Sequence, residues 1–149
     1  RKNFSAQVLK ANMRIVGNAE YGLLLYRDKL PKFNNNGKMV FNVIDWEQDS
    51  RNALFEKIHP TQKPVKLLEK LIEIFTDPGD VVIDPVAGSG STLIAANNLD
   101  RKAYGFEIKK DFFRAATEWI ERNKTAKKDI ETFGFAKTLI NGQQMTFFE

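Results

Sequence analysis

Apolar residues recur at three- and four-residue spacing through Val65, Leu68, Leu71, Ile72 and Phe75, which predicts an amphipathic helix. Pro64 opens it in the first turn, where a missing N–H is tolerated, and Asp77-Pro78-Gly79-Asp80 ends it in a turn. A short unbroken apolar run, Val81-Val82-Ile83, then predicts a strand. Thr92 to Leu99 follows as a short helix weakened at its end by Asn97-Asn98, and Lys102 to Phe106 as a second strand. Asp111 is placed to N-cap a further helix whose buried face would be Phe112, Phe113, Ala116, Trp119 and Ile120. Helix, strand, helix, strand, helix between 64 and 122 predicts an α/β fold with a largely parallel sheet covered by helices.

The flanks are patterned differently. The aromatic-flanked run Tyr21-Gly22-Leu23-Leu24-Leu25-Tyr26 predicts a buried strand, and Met39 to Trp46 a second short one. Between them Asn34-Asn35-Asn36-Gly37 marks a loop, and Glu47 to Lys57 is a polar connector. Lys124 to Lys128 reads as a charged linker, and Asn141-Gly142 between apolar flanks as a hairpin turn.

Composition narrows the class without choosing the chemistry. The 149 residues suffice for one domain with its own core, and 42% hydrophobic with 28% charged residues describes a globular chain. No apolar run approaches the roughly 20 residues of a bilayer-spanning helix, and Arg1-Lys2-Asn3-Phe4 is not followed by a signal-peptide core. The absence of cysteine excludes disulfides and thiolate metal sites and suits a reducing cytoplasm. The net charge of +4 is concentrated: the first 40 residues carry eight Lys/Arg against Glu20 and Asp28, the other 109 carry 15 basic against 17 acidic side chains. A polyanion facing the amino-terminal quarter would account for this, as would a solvated basic surface.

The candidate chemistry lies at Asp84-Pro85-Val86-Ala87-Gly88-Ser89-Gly90-Ser91-Thr92, between the predicted strand and helix. Glu107 closes the second strand 23 positions beyond Asp84. Strand, glycine turn, helix, strand and acid is how an α/β fold builds a nucleoside site, the glycines admitting the ligand and the acid taking a ribose diol. A nucleotide-triphosphate loop would need a lysine before Ser91, and a dinucleotide loop a third glycine where Leu93 stands. Asp84 at the strand's carboxyl end would repel a pyrophosphate but could pair with an ammonium. S-adenosylmethionine, with an ammonium, a sulfonium, a ribose and no phosphate, fits best.

Upstream, His59-Pro60-Thr61-Gln62-Lys63-Pro64 precedes the helix and the glycine turn. HPTQKP followed by DPxxGSGST resembles the DNA amino-methyltransferases that modify adenine N6 or cytosine N4, in particular their circularly permuted (beta-type) subgroup. Tyr104-Gly105-Phe106-Glu107-Ile108 resembles the next family motif, and Glu20-Tyr21 a weaker upstream one. The resemblance, over roughly residues 15 to 123, implies a Rossmann-like S-adenosylmethionine-dependent methyltransferase sheet with helices on both faces, incomplete in this chain. It implies that Asp84 and Pro85 lie near the methionine end of the cofactor, that Gly88 and Gly90 let the backbone approach it, and that Ser91 and Thr92 donate to its carboxylate. Glu107 would accept the ribose hydroxyls, and Thr61 and Lys63 would cover the methionine moiety. Val86 departs from the family, which more often has an aromatic residue there. The single histidine, His59, is read as orienting a loop rather than as a general base.

Family enzymes hold the target amine in an Asp/Asn/Ser-Pro-Pro-aromatic segment and stack the aromatic on a flipped base. Asp77-Pro78 continues with Gly79 and Asp84-Pro85 with Val86, so neither supplies that segment. The permuted order and the missing initiator methionine place it, by expectation, before Arg1. The chain is therefore expected to carry the cofactor site, with no catalytic or metal residues of its own. Residues 1–58 would end the catalytic and target-recognition region, and residues 59–149 would form the cofactor-binding half. Arg27, Lys29, Lys32 and Lys38 become candidates for phosphate contacts with double-stranded DNA. The expected setting is a bacterial or phage-encoded cytoplasmic enzyme, with adenine N6 favoured over cytosine N4 and an upstream fragment as a possible partner. Two alternatives stay open: a non-catalytic DNA-binding remnant, and half of a nicotinamide-dependent oxidoreductase.

Overall fold

The computed structural model of the chain describes the backbone of residues 7–10, 15–17, 19–45 and 57–141, and side chains within 19–45 and 57–125. The elements in chain order are β1 (Gln7–Lys10), β2 (Ile15–Gly17), α1 (Val65–Phe75), β3 (Val81–Asp84), α2 (Ser91–Asn98), β4 (Lys102–Gly105) and α3 (Lys110–Asn141). β1 and β2 form a small antiparallel pair. β3 and β4 pair in parallel, Val81 opposite Lys102 through Asp84 opposite Gly105. Parallel strands need a crossover, and α2 supplies it, touching α1, α3 and both strands.

The core gathers Val65 and Ile72 of α1, Ile94, Ala95 and Ala96 of α2, and Trp119 of α3, with Val82 and Ala103 packed on it from the sheet. Strand alternation then turns Val81, Ile83 and Tyr104 to the other face, all more than half exposed. α1 begins one residue later than Pro64, which occupies its N-cap. At the far end, Arg101 donates from Nε to the Thr76 hydroxyl (2.9 Å) and from Nη2 to the Thr76 carbonyl (2.6 Å). A buried cation beside a helix carboxyl end satisfies carbonyls the helix leaves unpaired.

Several expected elements differ. Residues 21–26 and 39–45 are irregular, and Tyr21, Leu23, Leu25, Met39 and Phe41 are almost fully exposed. A strand needs a neighbour to take its N–H and C=O groups, and among the described residues no strand pairs with either run. Trp46 and residues 47–56 lie outside the described residues. Asp111 sits inside the first turn of α3, where its charge suits the helix dipole, because the helix starts at Lys110. Phe113 is 57% exposed, since α3 turns the adjacent Phe112 inward instead. Lys124 to Lys128 is part of α3, whose helix runs on to Asn141, so no hairpin forms at that residue. Gly142 lies outside the described residues.

The loop at 32–35 is fastened to α1. The Asn34 side-chain amide donates to the Thr76 carbonyl and Asp77 Oδ1, both at 2.9 Å, and the Asn34 N–H to the Ile74 carbonyl at 2.6 Å. Phe33 meets Phe75 edge to face, with ring centroids 5.8 Å apart. The Lys32 ammonium pairs with Asp77. That bond raises the lysine pKa and, with Asn34's donation, lowers that of Asp77.

Candidate functional site

The site forms where β3 ends. The Phe106 N–H donates to the Asp84 carbonyl (3.0 Å) and the Ala87 N–H to the Phe106 carbonyl (2.9 Å), holding the two strand exits side by side. Asp84 Oδ1 accepts the Val86 N–H at 3.0 Å, an Asx turn that bends the chain out of the strand. Gly88 and Gly90 have φ of 52° and 79°, the left-handed region that glycine adopts without a Cβ penalty. A Cβ at Gly90 would also lie 2.9 Å from Ile120 Cδ1.

Glu107 closes the turn from the other strand. Its Oε2 accepts the Gly88 N–H at 3.0 Å and its Oε1 the Lys109 N–H at 2.8 Å. The Lys109 N–H chiefly holds this carboxyl below the usual range; partial desolvation opposes it, and the Gly88 N–H, His59 and the Ile108 N–H reinforce it. An ionised carboxylate has about four acceptor positions, so both oxygens keep capacity for hydroxyl donors. The sequence separation of 19 between Gly88 and Glu107 is thus closed by one direct bond.

The 59–64 loop lies against this turn. A Cβ on Gly88 would stand 3.7 Å from His59 Nε2 and Cδ2. His59 Nδ1 accepts the Thr61 N–H at 3.2 Å and lies 3.1 Å from the Thr61 hydroxyl. The Lys63 ammonium pairs with Glu20, joining two segments 43 residues apart. The Ser91 hydroxyl is buried and turned onto Ser89 at 2.8 Å, so what it offers at the surface of α2 is its backbone. Thr92 is half-buried in the same first turn, and Pro85 is exposed. Arg27, Lys29, Lys32 and Lys38 are all exposed along the 19–45 segment, but the Lys32 ammonium is engaged by Asp77, with Asp80 at 3.9 Å.

One contributor escaped the sequence. The third glycine of a dinucleotide loop lets helix and strand pack closely, and Leu93 stands in its place. The space comes from the strand instead: a Cβ on Gly105 would lie 2.8 Å from Leu93 Cδ1 and 2.9 Å from the Ala87 Cβ. The small residue has changed sides of the same contact. Its signal was the glycine in Tyr104-Gly105-Phe106, legible only with Leu93 as its counterpart.

With this geometry in place, comparison with known proteins is informative. The model of the DNA methylase family N6_N4_Mtase matches residues 11–118. The type II methyltransferase M.BglII of Bacillus subtilis is 44% identical over 117 residues, covering 74% of this chain and 32% of that protein. The DNA adenine methyltransferase YhdJ of Escherichia coli is 36% identical over 96 residues, 64% of this chain and 33% of that protein. The M1.HpyAVI–SAM complex superposes with a TM-score of 0.55 at 35% identity, over 63% of this chain and 46% of that one. The chain spans about a third of the length of these curated relatives. The family match over residues 11–118, a range that includes the glycine turn and Glu107, and the shared Rossmann-like methyltransferase fold carry one conclusion: this chain belongs to the DNA methylase family.

Proposed function

We propose that this chain is the S-adenosylmethionine-binding portion of a DNA amino-methyltransferase. The observation that carries this is the Glu107 carboxylate, ionised and tied to Gly88 across the mouth of the glycine turn. The residues present suit that cofactor: an acceptor for a ribose diol, an acid at the strand end, and no lysine in the turn to receive a phosphate. When bound, the cofactor supplies an electrophilic methyl on a sulfonium. Glu107 would hold the ribose, Gly88 and Gly90 would admit it close to the backbone, and Asp84 with Pro85 would face the ammonium end. The first-turn N–H groups of Ser91 and Thr92, at the positive end of α2, would meet its carboxylate. Thr61 and Lys63 would close over the methionine moiety, Lys63 exchanging Glu20 for the ligand.

The whole enzyme would methylate an exocyclic base amine in double-stranded DNA in the bacterial cytoplasm, with adenine N6 favoured; the relative named as an adenine methyltransferase supports that choice. Residues 1–58 would belong to its target-recognition side and residues 59–149 to its cofactor side. Arg27, Lys29 and Lys38 would contact phosphates; each replacement by alanine should flatten the salt dependence of DNA affinity by about one unit. Lys32, already engaged by Asp77, would contribute less.

Thermal unfolding with candidate cofactors tests the proposal. S-adenosylmethionine should raise the transition temperature, as a ligand of the native state must, whereas NAD should not. Transfer of labelled methyl to DNA should require an added upstream segment carrying a Pro-Pro-aromatic motif. Protection by NAD alone, or robust methylation by the 149 residues alone, would contradict it.

A further inference from the structure

We propose that His59 is a positioning residue that seats the glycine turn, and through it Glu107, for the methyl donor. The proposal deepens the cofactor assignment above and rests on it for the identity of the ligand. The imidazole stands between three parts of the site. Gly88 lies over the plane of the ring: an added Cβ would stand 3.7 Å from both Cδ2 and Nε2 and 3.8 Å from Cε1. The imidazole and the Phe112 ring of α3 meet in a T-shaped contact, with centroids 4.3 Å apart. Its Nδ1 accepts the Thr61 N–H at 3.2 Å.

That last bond fixes the chemistry of the ring. A nitrogen that accepts an N–H carries no proton, so in the neutral ring Nε2 is the protonated nitrogen. Gly88, which packs on the ring, donates its own N–H to Glu107. The ring thus links the 59–61 loop to the group that would hold the ribose, and it is the only histidine in the chain. Charged groups near it among the described residues include Glu107 beyond β4 and, over the Phe112 ring at 5.4 Å from its centroid, the Lys109 ammonium.

Removing the ring changes both ends of this link. The Thr61 N–H loses the nitrogen that accepts it, and Gly88 loses the surface it packs on. The turn that presents Glu107 is then held less firmly, and donor affinity should fall.

The test uses the full 149-residue chain. In ligand-free nuclear magnetic resonance spectra the Gly88 and Thr61 amide resonances should both shift on His59→Ala, and the Thr61 resonance should move back toward its original position in His59→Asn. Calorimetry should show S-adenosylmethionine binding about tenfold weaker to His59→Ala, with His59→Asn, whose amide oxygen can replace Nδ1 as acceptor, recovering part of the loss. Gly88 and Thr61 amides unmoved by His59→Ala overturn the positioning role whether or not a donor binds. Equal binding by His59→Ala and the unsubstituted chain overturns it too. Failure of the unsubstituted chain to bind the donor, with the amides still moved by His59→Ala, would instead strike the cofactor assignment and leave the link from ring to turn standing.

Discussion

The segment 19–45 and the body formed by residues 57–125 contain comparable apolar runs, yet they end in opposite states. Leu23 and Leu25 in the first are 86% and 85% exposed, whereas Trp119 and Ile94 in the second are 0% and 2% exposed. The difference lies in where partners come from. The stripe of α1 meets α2 a few turns later in the chain, and β3 meets β4 across a single crossover. The Tyr21–Tyr26 run pairs with no strand among the described residues, and its segment is fastened to the body at Lys32, Phe33 and Asn34 and by the Glu20–Lys63 pair. Hydrophobicity locates what could be buried; a neighbour within reach decides whether it is.

The largest test of that contrast is a pair of truncations. Trp119→Ala should cost about 3–5 kcal/mol, the usual range for an aromatic removed from a core, whereas Leu25→Ala should stay within about 0.5 kcal/mol. Denaturant titration of each variant measures both, and a comparable loss for Leu25→Ala would erase the distinction.

A smaller effect sharpens the packing of the body itself. Gly105→Ala should cost about 1–3 kcal/mol through overpacking against Leu93 and Ala87. Adding Leu93→Ala should recover part of that loss, since the two side chains compete for one space. Simple additivity of the two substitutions would mean that Gly105 does not stand in for the absent third glycine.

Weaker still is the attachment between the regions. Asn34→Ala should cost about 1 kcal/mol through its lost hydrogen bonds. Asp77 adds a pH signature of known sign. Its carboxyl is held below the ordinary value by Lys32 and Asn34, so its contribution is present above the unfolded carboxylate range and disappears as pH falls through the lower folded value. Asn34 side-chain amide resonances should therefore hold steady at neutral pH and shift only in that acid range, and they should be insensitive to acid in Asp77→Asn. Because Asp77 and Lys32 are solvent-accessible, salt should weaken the contact.

How much was legible follows the same division. The α1 stripe, the glycine turn and the β3–β4 frame could be located from residues alone because each signal is local: spacing within a helix, glycines at positive φ, an apolar run bounded by turns. The edges failed by small amounts where capping decides them, as at Pro64 and Asp111. Long-range features were illegible. Nothing in the sequence said that Asn34 would fasten to Thr76, that Arg101 would reach the end of α1, or that Ser91 would turn its hydroxyl onto Ser89. The resemblance placed Lys63 beside a ligand, but its pairing with Glu20 spans 43 residues and appears only in three dimensions.

The most direct test of the account is calorimetric titration of S-adenosylmethionine into the 149-residue chain and into Glu107→Ala. One-to-one binding by the unsubstituted chain that Glu107→Ala abolishes, with that variant still unfolding cooperatively in the absence of ligand, is the predicted result. Binding that survives the loss of this carboxylate would contradict the assignment of Glu107 as the ribose acceptor.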